Sequence, residues 1–511
     1  MNESMPSLKR QLDRGAGILM PVSALPAKYG IGTLGKESLR FIDFLKCAGF
    51  KYWQVLPVGP TSYGDSPYQS FSVFAGNPYF IDLEYLAEER LLTAKEADTY
   101  KWQYNEASID YALLYNSRFR ILRKAFERSR HKTEASFRQF CDRNGYWLEG
   151  YCFFMAFKYH FGGREWLSWE EDIKLRRPEA MEEYCGRLKE DIEFWKFCQY
   201  KFREQWDRVK KYANDRGILI IGDIPLYSAM DSADAWEHAD LFELDERKQP
   251  VHVAGVPPDA FSEEGQRWGN PLYRWDRMEQ EDFSWWRERM KVSAALYDVI
   301  RIDHFIGIVN YYSIPAENPT AAGGRWIKGP GRKLTDIIDA SAGDAKIIVE
   351  DLGVLTPEVK ELIREAVYPG MKVLLFGLDG PADNTYLPHN YTTSNLIAYT
   401  GTHDNETLAG FLKGKTKEQK KHLCGYFNTG RPKQLPDAII KALYACVADV
   451  VMLPMQDLLK LGSKARMNFP STIGSNWKWR MKNKQYKKLS TKKLYALARL
   501  YGRAPERPAR R

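Results

Sequence analysis

The chain has 511 residues, 44% of them hydrophobic and 28% charged, the composition of a soluble globular protein with a large core rather than a disordered or fibrous one. No run reaches the ~18 apolar residues of a membrane span, and MNESMPSLKRQLDRGAG at the N-terminus lacks the apolar stretch of a secretory leader. The net charge of +9 is concentrated in residues 478–511, which hold 13 Lys and Arg against one Glu, so the body of the chain is close to neutral.

Such a tail suits either a polyanion partner or a solvated terminal helix. No nucleic-acid motif accompanies it, which favours the helix. Seven cysteines at 47, 141, 152, 185, 198, 424 and 446 form no CxxC pair. They read as free thiols in a reducing, cytoplasmic setting.

Eight apolar runs bounded by turn residues read as strands: 17–25, 52–58, 218–227, 298–305, 346–352, 371–378, 395–405 and 449–459. Most are too continuously apolar for strands with one wet face, which points to a parallel sheet buried on both sides. Helical stretches at 38–49, 202–217, 357–367 and 437–446 lie between them. Eight strands alternating with helices is the count of an α/β (β/α)8 TIM barrel. Residues 1–511 are thus expected to form one catalytic barrel with three additions. These are a helical insertion subdomain over 80–200, an active-site loop insertion over 228–290 and the basic tail at 478–511. The second contains PVHVAGVPPDAFSEEGQRWGNP, whose Gly and Pro content suits an ordered loop.

Three of the strands end in an acid: Asp303 in VIRIDHF, Glu350 in KIIVEDLG and Asp404 in NLIAYTGTHDNE. A barrel delivers its chemistry to the rim in this way. Arg301 and Asp303 are two apart and share a strand face. The guanidinium keeps the carboxylate ionised, as a nucleophile requires, although a purely structural ion pair looks the same. Glu350 leaves the apolar Ile347-Ile348-Val349, where burial raises a carboxyl pKa toward that of a general acid; the alternative is a cap on the next helix. Asp351 faces the other way and is expected to pair locally.

The segment Thr402-His403-Asp404-Asn405 concentrates groups that grip vicinal hydroxyls. The eight His residues show no metal-ligand spacing, so no catalytic metal is expected. Tyr63, Ser66, Tyr68 and Gln69 in SYGDSPYQS, and Trp268 in GQRWGNP, offer rings and polar edges suited to a pyranose.

These segments resemble the amylomaltases, 4-α-glucanotransferases of the α-amylase superfamily also called disproportionating enzymes. The likeness runs from GILMPVSALPAKYGIGTLG at 17–35 to RMNFPSTIGSNWKWR at 466–480. GDIPLYSAMDSADAW, GVPPDAFSEEGQRWGNPLYRW, IRIDHFIGI, GGRWIKGPG, VEDLGVLTPEV and GTHDNETLAGF stand between them in family order. The resemblance implies that Asp303 is the nucleophile, with Arg301 its arginine. It makes Glu350 the acid/base and Asp404 the stabiliser of the transition state. Tyr63, Tyr68, Asp223, Trp268, His304, His403 and Asn468 would line the glucan sites, with Ser66 and Gln69 beside them.

The implied reaction is a retaining double displacement, which asks that Asp303 and Glu350 stand about 5–5.5 Å apart. No cofactor is implied. The expected partners are maltooligosaccharides, amylose or glycogen-derived glucans, with glucose as an acceptor. Neither nucleic acid nor membrane is expected, and the assembly would be a monomer or homodimer. Ile306, Leu375 and Ser471 depart from the family's usual Arg, Gln and Gly, which bears on subsite detail. A hydrolase on the same barrel and a non-catalytic glucan-binding protein are the competing readings.

Overall fold

The computed structural model describes residues 11–62, 64–258, 263–353, 355–483 and 485–505. Eight short parallel strands form its centre: β1 (Gly15–Leu19), β2 (Tyr52–Gln54), β3 (Leu219–Ile224), β4 (Val299–Ile302), β5 (Lys346–Val349), β6 (Gly370–Val373), β7 (Leu396–Tyr399) and β8 (Val450–Pro454). They pair in the order β6-β7-β8-β1-β2-β3-β4-β5. The Val349 N–H donates to the Pro369 carbonyl at 3.0 Å and joins the two ends of the ring. The expected (β/α)8 barrel is therefore present, and every strand run contains a barrel strand.

The strands are shorter than their apolar runs, chiefly at the C-terminal end. The first stops at Leu19 and continues as a 3-10 turn over Val22–Ala24. The sixth gives way to a turn over Leu374–Phe376, and the eighth to a short helix over Met455–Leu458. Apolarity reports burial rather than extension, and the rim segments above the strands are buried too.

Outer helices follow their local signals. Helix Lys36–Ala48 buries Phe41, Ile42, Phe44 and Leu45 and stops at Gly49, whose φ of 81° lets its N–H turn back to the Leu45 and Lys46 carbonyls. Helix Pro357–Ala366 starts on a Thr356 cap with proline in its first turn. Residues 83–187 fold as a series of helices, and the 26-residue helix Lys189–Asn214 leads from them directly into β3. Trp166, Trp195 and Trp206 join these helices to the barrel in one continuous apolar core.

The loop expected over 228–290 contains two strands. Gln266–Pro271, His252–Val256, Asn310–Pro315 and Arg325–Lys328 form, in that order, a four-stranded antiparallel sheet. Glycine hid one of them from the sequence reading. Gly255 lies opposite Tyr312, and a Cβ on it would come within 2.2 Å of the Gln266 carbonyl oxygen. Here glycine marks close backbone approach inside a strand, not a turn.

The basic tail is only partly solvated. Arg503 is fully buried and donates to the carbonyls of Tyr444 (2.8 Å), Cys446 (2.9 Å) and Asp449 (3.1 Å) beneath the barrel. Arg480 is also buried and binds the Leu25 and Ala27 carbonyls and the Gln103 side chain. Both arginines are held by backbone carbonyls of distant segments, which take the place of the water their charge would otherwise need. Helix Thr491–Leu500 packs Tyr495 and Ala498 inward and leaves Lys492 and Lys493 exposed. Among the described residues, no helix is long and apolar enough to cross a membrane.

Candidate active site

Asp303 and Glu350 stand one residue beyond β4 and β5, and the strand ladder still holds both. The Asp303 N–H donates to the Ile224 carbonyl and the Glu350 N–H to the Ile302 carbonyl, each at 2.9 Å. Backbone pairing thus sets where the two carboxylates leave the sheet, with a precision loops lack.

Asp223 on β3 is the register neighbour of Arg301 on β4, so their side chains meet inside the barrel. One guanidinium nitrogen, Nη1, reaches Asp223 Oδ1 and Oδ2 at 2.6 and 2.7 Å and Asp303 Oδ1 at 2.9 Å. Asp223 and Arg301 are closed off, while 28% of the Asp303 side chain stays open to the cleft. The arginine therefore bridges a buried acid and an accessible one. Burial opposes its charge, but the two carboxylates outweigh that and hold Arg301 above its ordinary value. Burial pushes Asp223 up against the pull of Arg301. The Tyr68 hydroxyl donates to Asp223 Oδ2 at 2.8 Å.

Glu350 lies against the backbone. Its Oε2 accepts from the His304 N–H and its Oε1 from the Leu352 N–H, both at 2.8 Å. The first bond depends on an unusual turn: His304 has φ 51°, a left-handed conformation that costs a non-glycine residue about 1–3 kcal/mol. Burial first, and then the charge of Asp303, raise the Glu350 carboxyl to about 7, despite Arg301 and the two amide bonds. Asp351 turns away, as expected, and accepts from the Met371 N–H at 2.6 Å. Gly370 makes room for it, since a Cβ there would lie 2.4 Å from Asp351 Oδ2.

Asp404 arrives from the loop after β7. Asn468 Nδ2 donates to its Oδ1 at 2.6 Å and His403 Nε2 lies 3.3 Å from its Oδ2. Burial would raise this carboxyl, but His403 and Asn468 outweigh it and bring Asp404 down to about 2. Burial likewise opposes protonation of His403, and Asp404 reverses that, so His403 is raised. Tyr68 stacks on the His403 ring at 5.2 Å and 20°. Tyr68, Asp223, Arg301, Asp303, His403, Asp404 and Asn468 thus form one connected cluster.

The other sequence candidates are arranged around it. Trp268 meets His304 edge to face at 4.7 Å and forms a second wall. Burial lowers His304 to about 4, which keeps the ring neutral. Gln69 reaches the cluster's flank by donating to Asn270 Oδ1 at 2.9 Å. The Ser66 hydroxyl accepts the Tyr68 N–H at 3.3 Å and so shapes the turn that presents Tyr68. Tyr63 and residues 259–262 lie outside the described residues. A cavity of about 810 Å³ is lined by Ser62, Asp65, Tyr79, Tyr111, Tyr159 and Lys158; none of the three acids lines it.

Two contributors went unnamed in the sequence reading. Arg466 donates to the Asp404 carbonyl at 2.7 Å, and Trp477 packs 5.7 Å from His403. Both lie within RMNFPSTIGSNWKWR, and Arg466 sits two residues before Asn468, close enough to have been considered with it.

Residues 20–486 match the family described as 4-alpha-glucanotransferase. The chain belongs to that family. It is 48% identical to the 4-alpha-glucanotransferase of Clostridium butyricum, over 95% of this chain and all of the relative. It is 44% identical to that of Thermus thermophilus, over 92% of this chain and 95% of the relative. The solved amylomaltase of Streptococcus agalactiae in complex with acarbose superposes with a TM-score of 0.93 at 39% identity, over 96% of this chain and all of that one. The Corynebacterium glutamicum amylomaltase shares the fold at a TM-score of 0.76 and 18% identity, over 96% of this chain and 75% of that one. The chain is an enzyme, and the reading as a non-catalytic binding protein is set aside.

Proposed function

We propose that the enzyme moves segments of 1,4-α-glucan onto the 4-hydroxyl of an acceptor glucan or glucose through a covalent glucosyl-enzyme. The observation that carries this reading is the division of labour among the three acids. Asp303 is accessible and paired with Arg301, Glu350 is held near 7, and Asp404 is held near 2.

Glu350, protonated, gives its proton to the departing glycosidic oxygen while an Asp303 oxygen attacks the anomeric carbon. The old C–O bond breaks, an acyl-glycosyl ester forms, and Glu350 is left ionised. An acceptor 4-hydroxyl then attacks the same carbon, returns its proton to Glu350 and releases Asp303. Arg301 stabilises the Asp303 carboxylate at both ends of the cycle. Asp404, ionised throughout, accepts hydroxyl hydrogen bonds from the sugar ring as it flattens. Trp268 and the strand that carries it shield the intermediate from water, favouring transfer over hydrolysis. The substrates are maltooligosaccharides and longer α-glucans, and the setting is cytoplasmic.

Incubation with maltotriose tests the proposal. Transfer yields glucose and longer chains with almost constant reducing ends, and the first products keep the α configuration. A steady rise in reducing ends would make the protein a hydrolase, and β products would rule out the double displacement.

A further inference from the structure

Asp457 is 2% exposed and sits on the short helix Met455–Leu458 directly after β8. Its Oδ2 accepts from the Thr400 hydroxyl at 2.6 Å and its Oδ1 from the Leu408 N–H at 2.7 Å. Thr400 immediately follows β7, and its carbonyl accepts the Leu375 N–H at 3.1 Å, so it is anchored in the barrel. Leu408 opens the helix Leu408–Lys413. Between these two points runs the segment 401–407, which carries His403 and Asp404. One carboxylate therefore grips both ends of the loop that presents Asp404, without touching Asp404 itself.

The remaining ties of the loop leave this role open. Asn405 Oδ1 accepts from the Thr402 N–H and hydroxyl at 2.7 and 3.0 Å, which closes the loop's first turn only. The Asn468 N–H donates to the His403 carbonyl at 3.0 Å, and Arg466 to the Asp404 carbonyl at 2.7 Å. These hold the middle of the loop from one side. Among the described residues, Asp457 alone bonds to both of its ends.

A carboxylate in that position is costly. Among the described residues it forms no ion pair, and the charged group facing it is Glu406. Burial raises this carboxyl to about 6, against the pull of its two hydrogen bonds, so it is ionised at neutral pH. Both partners are donors, and an ionised carboxylate accepts from two donors at once, whereas an asparagine has a single acceptor oxygen.

We propose that Asp457 is a positioning residue that fixes the loop ends so that Asp404 meets the sugar ring in its reactive shape. The proposal rests on the role given to Asp404 above. Asp404 acts on the distorted ring, so its displacement lowers kcat more than it raises KM.

The test measures kcat and KM on maltotriose at 25 °C, with Tm alongside, for Asp457→Ala and Asp457→Asn, each also combined with Asp404→Asn. Asp457→Ala is expected to lower kcat roughly tenfold or more with KM within about twofold, since a 1 Å displacement of a reacting group carries losses of that order. Asp457→Asn keeps one acceptor and loses less. In the Asp404→Asn background, Asp457→Ala is expected to cost less than about twofold, because a residue that acts through Asp404 has nothing left to act through.

An equal loss in both backgrounds, or a lowered Tm with kcat unchanged at 25 °C, overturns the proposal. Wild-type kcat in Asp404→Asn alone would instead refute the role of Asp404, and the positioning claim with it. Should Asp457→Ala not fold, Thr400→Val removes one tie and Thr400→Ser restores it. The first is expected to lose kcat and the second to recover it, and equal kcat in the two refutes the clamp.

Discussion

Replacing Glu350 with glutamine is expected to change stability in a way that depends on pH, because the charge of this group opposes folding. Its ordinary value is near 4.5, and the folded protein raises it to about 7. Between those values the folded protein holds a proton that the unfolded chain has released, so stability falls as pH rises through the window. It is unaffected below about 4.5, and the full cost is present above about 7. From pH 5 to 8 the loss is about 2 kcal/mol.

Glutamine removes the charge but has one acceptor oxygen, where Glu350 uses both, for the His304 and Leu352 amides. One amide is orphaned at every pH, at about 1–3 kcal/mol. Glu350→Gln should therefore be less stable than the wild type at pH 5 and should gain about 2 kcal/mol on it by pH 8, whatever the value of the constant penalty. Urea unfolding of both proteins at the two pH values, followed by tryptophan fluorescence, measures this. A difference between them that is the same at pH 5 and pH 8 would refute a raised Glu350 and the acid/base role built on it.

The same group predicts that kcat/KM falls about tenfold per pH unit above about 7, as the free enzyme loses the proton it must donate. A flat profile to pH 9 contradicts this. Asn468→Ala takes a 2.6 Å bond from Asp404 and should lower kcat roughly tenfold, the value of one hydrogen bond to a charged group. Steady-state kinetics on maltotriose checks it, and unchanged kcat would remove Asn468 from the site. Arg301→Met leaves Asp223 buried without its counter-charge and should cost about 3–5 kcal/mol of stability. Urea unfolding at pH 7 that shows a loss under about 1 kcal/mol would mean Asp223 is already neutral.

The barrel was legible because burial on both faces of a parallel strand writes itself as a continuous apolar run, as in Ile347-Ile348-Val349. Strand ends were not, since Val22, Leu374 and Met455 are buried in rim turns just as strand residues are. The second sheet was missed for the opposite reason: Gly255 is a strand residue whose missing side chain admits a neighbouring backbone. In the tail, charge alone suggested a solvated surface, whereas Arg480 and Arg503 are enclosed by carbonyls from distant segments.

By itself the sequence determined the local facts: Asp303 and Glu350 directly after apolar strands, Arg301 on the same face as Asp303, and Asp404 and Asn468 in polar loops. Pairing across the molecule was left to the tertiary structure. Arg301 is shared with Asp223, 78 residues away, and Glu350 is held by an amide from the turn that carries Asp303. Asp457 grips a loop about 50 residues before it. The three carboxylates differ because desolvation and neighbouring charge depend on position in space, and for these residues that position is set only when the ring of strands closes.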